Sequence, residues 1–177
     1  GISINNVQVS GLTLVGFGGV VGYNDYFNAN AISNVSVSNV TFSGSYAKVA
    51  GGIAAVNNAI ISGTEPMGAQ GAIYVTANNI NVVGNQVGGI VGCNYRTIRY
   101  AQASLAYSAV KTNTNVYGTT DYIQVGGIAG YSKYTGLISN VKADSTITVD
   151  TVKNYSAYLG GIVGYNAGTM LDGVLFK

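Results

Sequence analysis

The chain reads as all-β: a parallel β-helix or solenoid of about five rungs of 33–38 residues, with no significant helix. Three observations predict this class. An eight-residue block recurs five times, the runs between copies alternate apolar with polar residues, and the composition favours strands. Glycine supplies 26 of 177 residues and tyrosine 14, whereas charged residues make up only 8%, against about a quarter in ordinary domains. β-Branched residues, Tyr, Asn and Gly dominate, and the helix formers Glu, Lys, Leu and Arg are scarce. One stretch, Ala101–Val110, clusters Ala, Gln, Ser and Leu as a helix would; the neighbouring copies favour loop followed by strand there.

The block opens as Phe17-Gly-Gly-Val-Val-Gly-Tyr-Asn24 and returns as Ala50-Gly-Gly-Ile-Ala-Ala-Val-Asn57. It continues as Val87-Gly-Gly-Ile-Val-Gly-Cys-Asn94, Val125-Gly-Gly-Ile-Ala-Gly-Tyr-Ser132 and Leu159-Gly-Gly-Ile-Val-Gly-Tyr-Asn166. Second glycines are spaced by 33, 37, 38 and 34 residues. One such unit per rung places equivalent residues in ladders about 4.8 Å apart. Val20, Ile53, Ile90, Ile128 and Ile162 then form an interior column, and Val21, Ala54, Val91, Ala129 and Val163 a tighter one. The pairs Gly18–Gly19, Gly51–Gly52, Gly88–Gly89, Gly126–Gly127 and Gly160–Gly161 fit a sharp corner with φ > 0, or a close backbone approach. Asn24, Asn57, Asn94 and Asn166, with Ser132 as substitute, fall where the strand turns. Asn tolerates the left-handed region there, and stacked copies can hydrogen-bond as a ladder.

A looser block alternates with the copies: Ile4–Val9, Ile32–Val37, Ala77–Val82 and Ile138–Ala143, with a degenerate form at Ser108–Val110 and a last one at Met170–Leu175. Its period of two marks half-buried strands. One solenoid segment thus covers residues 1–177, and its strand-like ends read as part of a longer chain.

The block Gly-Gly-Ile-Val-Gly-Tyr-Asn resembles the GLUG motif, which occurs in repeated arrays of bacterial surface and adhesin-like proteins. The second copy departs from it with Ala55 and Val56, and the third with Cys93. The resemblance implies an extracellular repeat region, and it brings no catalytic residue.

No histidine is present, which excludes Ser-His-Asp and Cys-His catalysis and the usual zinc sites. Cys93 stands alone at a repeat position and reads as a packed thiol. The glycines of Gly16–Gly22 superficially match a dinucleotide loop, but their recurrence and the missing helix mark them as architectural. No metal or cofactor is expected. The net charge is +2, and Arg96 and Arg99 are the nearest thing to a basic patch, so no nucleic-acid partner is expected. No apolar run is long enough for a transmembrane helix. Sequons at Asn34, Asn39 and Asn154 are possible glycosylation sites in a secretory pathway.

The leading expectation is a non-enzymatic structural or adhesive region of an extracellular surface or filament protein. Its partners are further rungs, neighbouring subunits, or a host glycan or protein. The variable segments 58–72 and 95–109 are the candidate contact loops. Tyr26, Tyr46, Tyr95, Tyr100, Tyr107, Tyr117, Tyr122, Tyr134, Tyr155 and Tyr158 lie outside the block columns, free to serve an interface or to pack under loops. The alternative is a polysaccharide-processing β-helix using Asp144, Asp150 and Asp172, which share adjacent rungs. Ice binding is weaker, because Thr41, Thr76, Thr112 and Thr146 do not repeat in register.

Overall fold

The computed structural model describes residues 1–10, 13–26, 31–43, 46–67, 69–82, 84–109, 122–149 and 157–176. Among them are twenty strands and no helix. The first turn of chain lays down β1 (Ile2–Asn5), β2 (Gln8–Ser10), β3 (Thr13–Gly18) and β4 (Val21–Asn24). The second repeats the order as β5 (Ala31–Ser33), β6 (Val35–Ser43), β7 (Tyr46–Gly51) and β8 (Ala54–Asn57). The third gives β9 (Ile60–Ser62), β10 (Val75–Asn81), β11 (Gln86–Gly88) and β12 (Val91–Asn94). The fourth runs through β13 (Thr97–Ala109), β14 (Ile123–Gly126) and β15 (Ala129–Ser132). The fifth runs through β16 (Leu137–Val149), β17 (Ala157–Gly160) and β18 (Val163–Asn166), and β19 (Thr169–Met170) and β20 (Leu175–Phe176) begin a sixth.

Each turn of chain is one rung, and successive rungs stack in parallel into three sheets. Sheet A has ten strands, six along the path β1-β6-β10-β13-β16-β19 and β2, β5, β9 and β20 paired beside it; sheet B is β17-β14-β11-β7-β3, and sheet C is β18-β15-β12-β8-β4. The five repeat blocks hold one register throughout. Gly18, Gly51, Gly88, Gly126 and Gly160 pair in succession along sheet B. Val21, Ala54, Val91, Ala129 and Val163 do so along sheet C. Ile53, Ile90 and Ile128 are completely buried, while Val20 is 36% exposed and Ile162 half-buried, because each of those two ends its column.

The glycine pairs work by close approach. No motif glycine has positive φ; among the described glycines only Gly173 does. A Cβ on Gly52 would lie 2.9 Å from the Ala77 methyl, one on Gly89 2.5 Å from Ala103, and one on Gly127 2.6 Å from Ala143. The B–C corner therefore seats directly on a column of alanines on the inner face of sheet A. The core fills the rest of this section with Val37, Ile80, Val87, Val125 and Leu105.

Left-handed backbone belongs instead to the looser block. Asn6, Asn34, Asn79 and Asn140, each the third residue of its copy, have φ of 59°, 52°, 53° and 49°. Asn24, Asn57, Asn94 and Asn166 do not have it; their contribution is made by side chains. Asn24 Nδ2 donates to Asn57 Oδ1 at 2.8 Å, Asn57 Nδ2 to Asn94 Oδ1 at 2.9 Å, and Asn94 Nδ2 to the Arg96 carbonyl at 2.8 Å. The looser block also turns out to be two bends. Asn34, Tyr100 and Asn140 occupy a first corner within sheet A, where β5 passes into β6, whereas Asn6, Asn39 and Asn79 bend it midway. The mid-sheet bend is deleted after the third rung: Ala77 pairs Ala103 and Ile80 pairs Leu105, so one residue replaces two.

That deletion corrects the reading of 95–109 as a loop. With the bend gone, Thr97–Ala109 runs as a single strand in register with Leu137–Val149. Its inward positions Ala101, Ala103, Leu105 and Tyr107 are buried. Tyr107 is accordingly a core residue at 1% exposure, its hydroxyl donating to the Gly84 carbonyl at 3.0 Å.

Candidate functional site

The residues that alternate with the core positions of sheet A form its outer face, hydroxyls and amides on the earlier rungs and the opposite charges Lys142 and Asp144 on the fifth. One outward row runs Ser3, Ser36, Thr76, Gln102, Lys142 and Leu175 across the rungs. Thr76 Oγ1 donates to Ser36 Oγ at 2.8 Å within it. A parallel row joins Asn5, Asn39 and Asn79 through side-chain amides at 2.8 and 2.6 Å. Among the described residues these threonines share no column: Thr41 pairs Gln8 and Asn81, Thr76 pairs Ser36 and Gln102, and Thr146 pairs Ala106.

A cleft of about 230 Å³ opens on this face, lined by Gln102, Lys142, Ala143, Asp144 and Leu175. β13, β16 and β20 supply its floor as three neighbouring strands. Beside it stand two tyrosines. Lys142 Nζ lies 4.5 Å from the centre of the Tyr74 ring, and the Tyr74 and Tyr100 rings meet edge to face at 6.3 Å.

Tyr100 has φ 47°. The same corner position is taken by Asn34 and Asn140, residue types that tolerate this conformation, and a bulky aromatic side chain there is an outlier. Desolvation, followed by the charge of Glu65 and the hydrogen bond Tyr100 donates to it, holds this phenol above its ordinary value.

Glu65 stands on the segment between β9 and β10, which is pinched by an antiparallel bridge. Thr64 N donates to the Ile73 carbonyl at 2.7 Å, and Ile73 N returns the bond at 3.1 Å. The candidate loop 58–72 thus narrows to a projection beginning at Gly63, since Ile60–Ser62 is strand β9. It carries exposed Met67 (75%) and Ile73 (58%).

A second aromatic group lies on sheets B and C. Tyr122 meets Tyr158 at 5.5 Å, Tyr158 meets Tyr165 at 5.1 Å, and Tyr165 meets Tyr131 at 5.4 Å. Lys133 Nζ sits 4.3 Å from the Tyr95 ring and 5.9 Å from Tyr131. Tyr95 and Tyr131 pack on a small core of Val49, Ala55 and Cys93. Burial, the largest effect, pushes the Cys93 thiol up to about 11 against the opposing pull of Lys133 and the Tyr95 hydrogen bond. Tyr26 lies beneath Arg96, whose guanidinium carbon is 4.6 Å from the ring centre, and Tyr134 stands 82% exposed.

Of the acids considered for catalysis, Asp144 reaches the cleft. Asp172 lies level with Asn140, whose N–H donates to its carbonyl at 3.1 Å. That is four strand residues, or about 13 Å, from Asp144 along sheet A. Asp150 lies outside the described residues, as do Thr112, Tyr117, Tyr155 and the sequon at Asn154. Among the described residues no three His, Cys, Asp or Glu side chains gather as metal ligands. At the other sequons, Asn34 is exposed and its Oδ1 accepts from Thr64 Oγ1 at 3.0 Å. Asn39 is tied into the outer amide row. No described helix is long and apolar enough to cross a membrane.

The sequence signal that was missed is the pairing of Tyr74 with Tyr100. These lie 26 residues apart in chain yet occupy adjacent rungs at one corner, and neither belongs to a repeat block.

Among known families, the model of the GLUG motif matches residues 121–148, which contain the fourth repeat block and most of β16. The shared register extends the same geometry to the other four copies. Comparison with curated proteins found no match, and neither did comparison with solved structures.

Proposed function

We propose that this GLUG-bearing solenoid is a non-enzymatic structural and adhesive region of an extracellular surface or filament protein. The structural half is carried by one observation: five motif copies in unbroken register, so that most of the sequence serves the stack itself. Such a stack is a spacer whose length grows by about 4.8 Å per rung. The adhesive half is supported by the polar outer face of sheet A, its cleft, and the apolar projection carrying Met67 and Ile73. A surface role suits a fold without disulfides, because continuous ladders do the holding.

The test is accessibility in the source cells. Antibodies against residues 1–177 label intact cells if the region is displayed outside; labelling that requires permeabilised cells contradicts the proposal. A polysaccharide-processing reading draws on Asp144 in the cleft. Release of reducing ends from a polysaccharide panel, lost in Asp144→Asn, would favour it over the adhesive one.

A further inference from the structure

We infer that the cleft on the outer face of sheet A is a binding subsite for one neutral sugar ring of a glycan. The inference rests on the adhesive reading above and names its ligand class. Size comes first. At about 230 Å³ the cleft is smaller than the roughly 300–1,000 Å³ of sites for drug-sized ligands, and its room is that of a single ring.

Chemistry comes second. The lining offers an amide (Gln102), an ammonium (Lys142) and a carboxylate (Asp144) on adjacent strands. A carboxylate accepts from two neighbouring hydroxyls at once, while an amide and an ammonium donate to hydroxyl and ring oxygens. One positive and one negative group leave the lining neutral, which gives an anion such as phosphate no net attraction.

The third element is aromatic. Tyr74 stands against the Lys142 ammonium and Tyr100 meets Tyr74 edge to face, an aromatic pair at the side of the cleft as a sugar with one apolar face requires. Tyr100 holds its ring at φ 47°, at a corner where other rungs place Asn34 and Asn140. Backbone strain of this kind concentrates at binding sites, because the side chain is what is retained. Beyond the cleft, the row Gln102, Thr76 and Ser36 continues the polar track from rung to rung, so a longer glycan lies along the solenoid axis.

Three substitutions make this testable in the 177-residue chain by NMR titration. Tyr100→Asn removes the ring while suiting the left-handed backbone, Tyr100→Phe keeps the ring, and Asp144→Asn removes the carboxylate. The probes are the methyl glycosides of glucose, galactose, mannose and N-acetylglucosamine, their oligomers, and inorganic phosphate. The expected result is saturable shifts at Gln102, Lys142 and Asp144 with at least one neutral saccharide, at a Kd on the order of 1 mM. Binding weakens about tenfold in Tyr100→Asn and in Asp144→Asn and persists in Tyr100→Phe. Thermal unfolding of Tyr100→Asn at or above the parent temperature shows that the loss is one of contact.

Shifts with none of the saccharides, shifts that survive both Tyr100→Asn and Asp144→Asn, or shifts with phosphate alone overturn the inference. Intact-cell labelling without saccharide binding sinks this inference and leaves the surface role standing. Saccharide binding by a chain found only inside cells does the reverse.

Discussion

At the scale of single residues, two glycines of the same motif differ completely in what they tolerate. Gly89 faces the Ala103 methyl, where an added Cβ would lie 2.5 Å away, whereas nothing lies within 4 Å of an added Cβ on Gly22. Gly89→Ala should cost about 3 kcal/mol in urea unfolding, and Gly22→Ala should stay within about 0.5 kcal/mol. Equal costs would mean that backbone freedom, and not space, selects these glycines. Cys93 gives a second prediction. Burial raises its thiol from 9.0 to about 11, so the folded state keeps a proton that the unfolded state has released between those values. This contribution to stability is present below pH 9 and is lost as pH rises toward 11. Iodoacetamide at pH 8 should modify folded Cys93 about a hundredfold more slowly than the same thiol in denaturant. Comparable rates would place the thiol in solvent. Such residues were legible in the sequence as columns. Their reasons were not, because a repeat shows that a position is constrained without showing which facing residue constrains it.

At the scale of elements, sheets B and C pack so closely that substitutions are matched across the gap. The third motif glycine faces the sheet-B position of the preceding rung: Gly92 faces Val49, and Gly130 faces Gln86. Where the second copy has Ala55 instead, the facing residue is Gly16, and a Cβ added there would lie 3.0 Å from the Ala55 methyl. The departure from the motif is thus accommodated one rung away. Gly16→Ala alone should cost about 1 kcal/mol, and adding Ala55→Gly should recover at least half of it by equilibrium unfolding. Additive costs would separate the two sites. Strand β13 shows where element-level reading failed. Ala101–Val110 contains residues that also build helices, and the copies above it carry a bend that this rung lacks. The looser block misled for a related reason: apolar, polar, Asn, apolar makes a left-handed bend at Asn6, Asn34, Asn39, Asn79 and Asn140, and the fold uses it at two corners.

At the scale of the molecule, the charge deficit and the glycine excess are one fact. Every rung faces its own counterpart, so a charge placed in a column would stand about 4.8 Å from its repeat. The rung order and the number of rungs were legible, because translation along the axis maps directly onto spacing in the sequence. The sugar-sized cleft was not, because Gln102, Lys142, Asp144 and Leu175 come together from three rungs, and the Tyr74–Tyr100 pair beside Lys142 belongs to no repeat block. Everything proposed for that face depends on the rungs being stacked in this register. The most direct test is a methyl NOE spectrum of the chain labelled only at isoleucine. Stacking predicts strong cross-peaks between Ile53 and Ile90 and between Ile90 and Ile128, whose backbones are hydrogen-bonded in succession at 2.9 and 3.0 Å. It predicts a far weaker peak, or none, between Ile53 and Ile128, about 9.6 Å apart. Absence of the two neighbour peaks, with the chain folded, would contradict the solenoid.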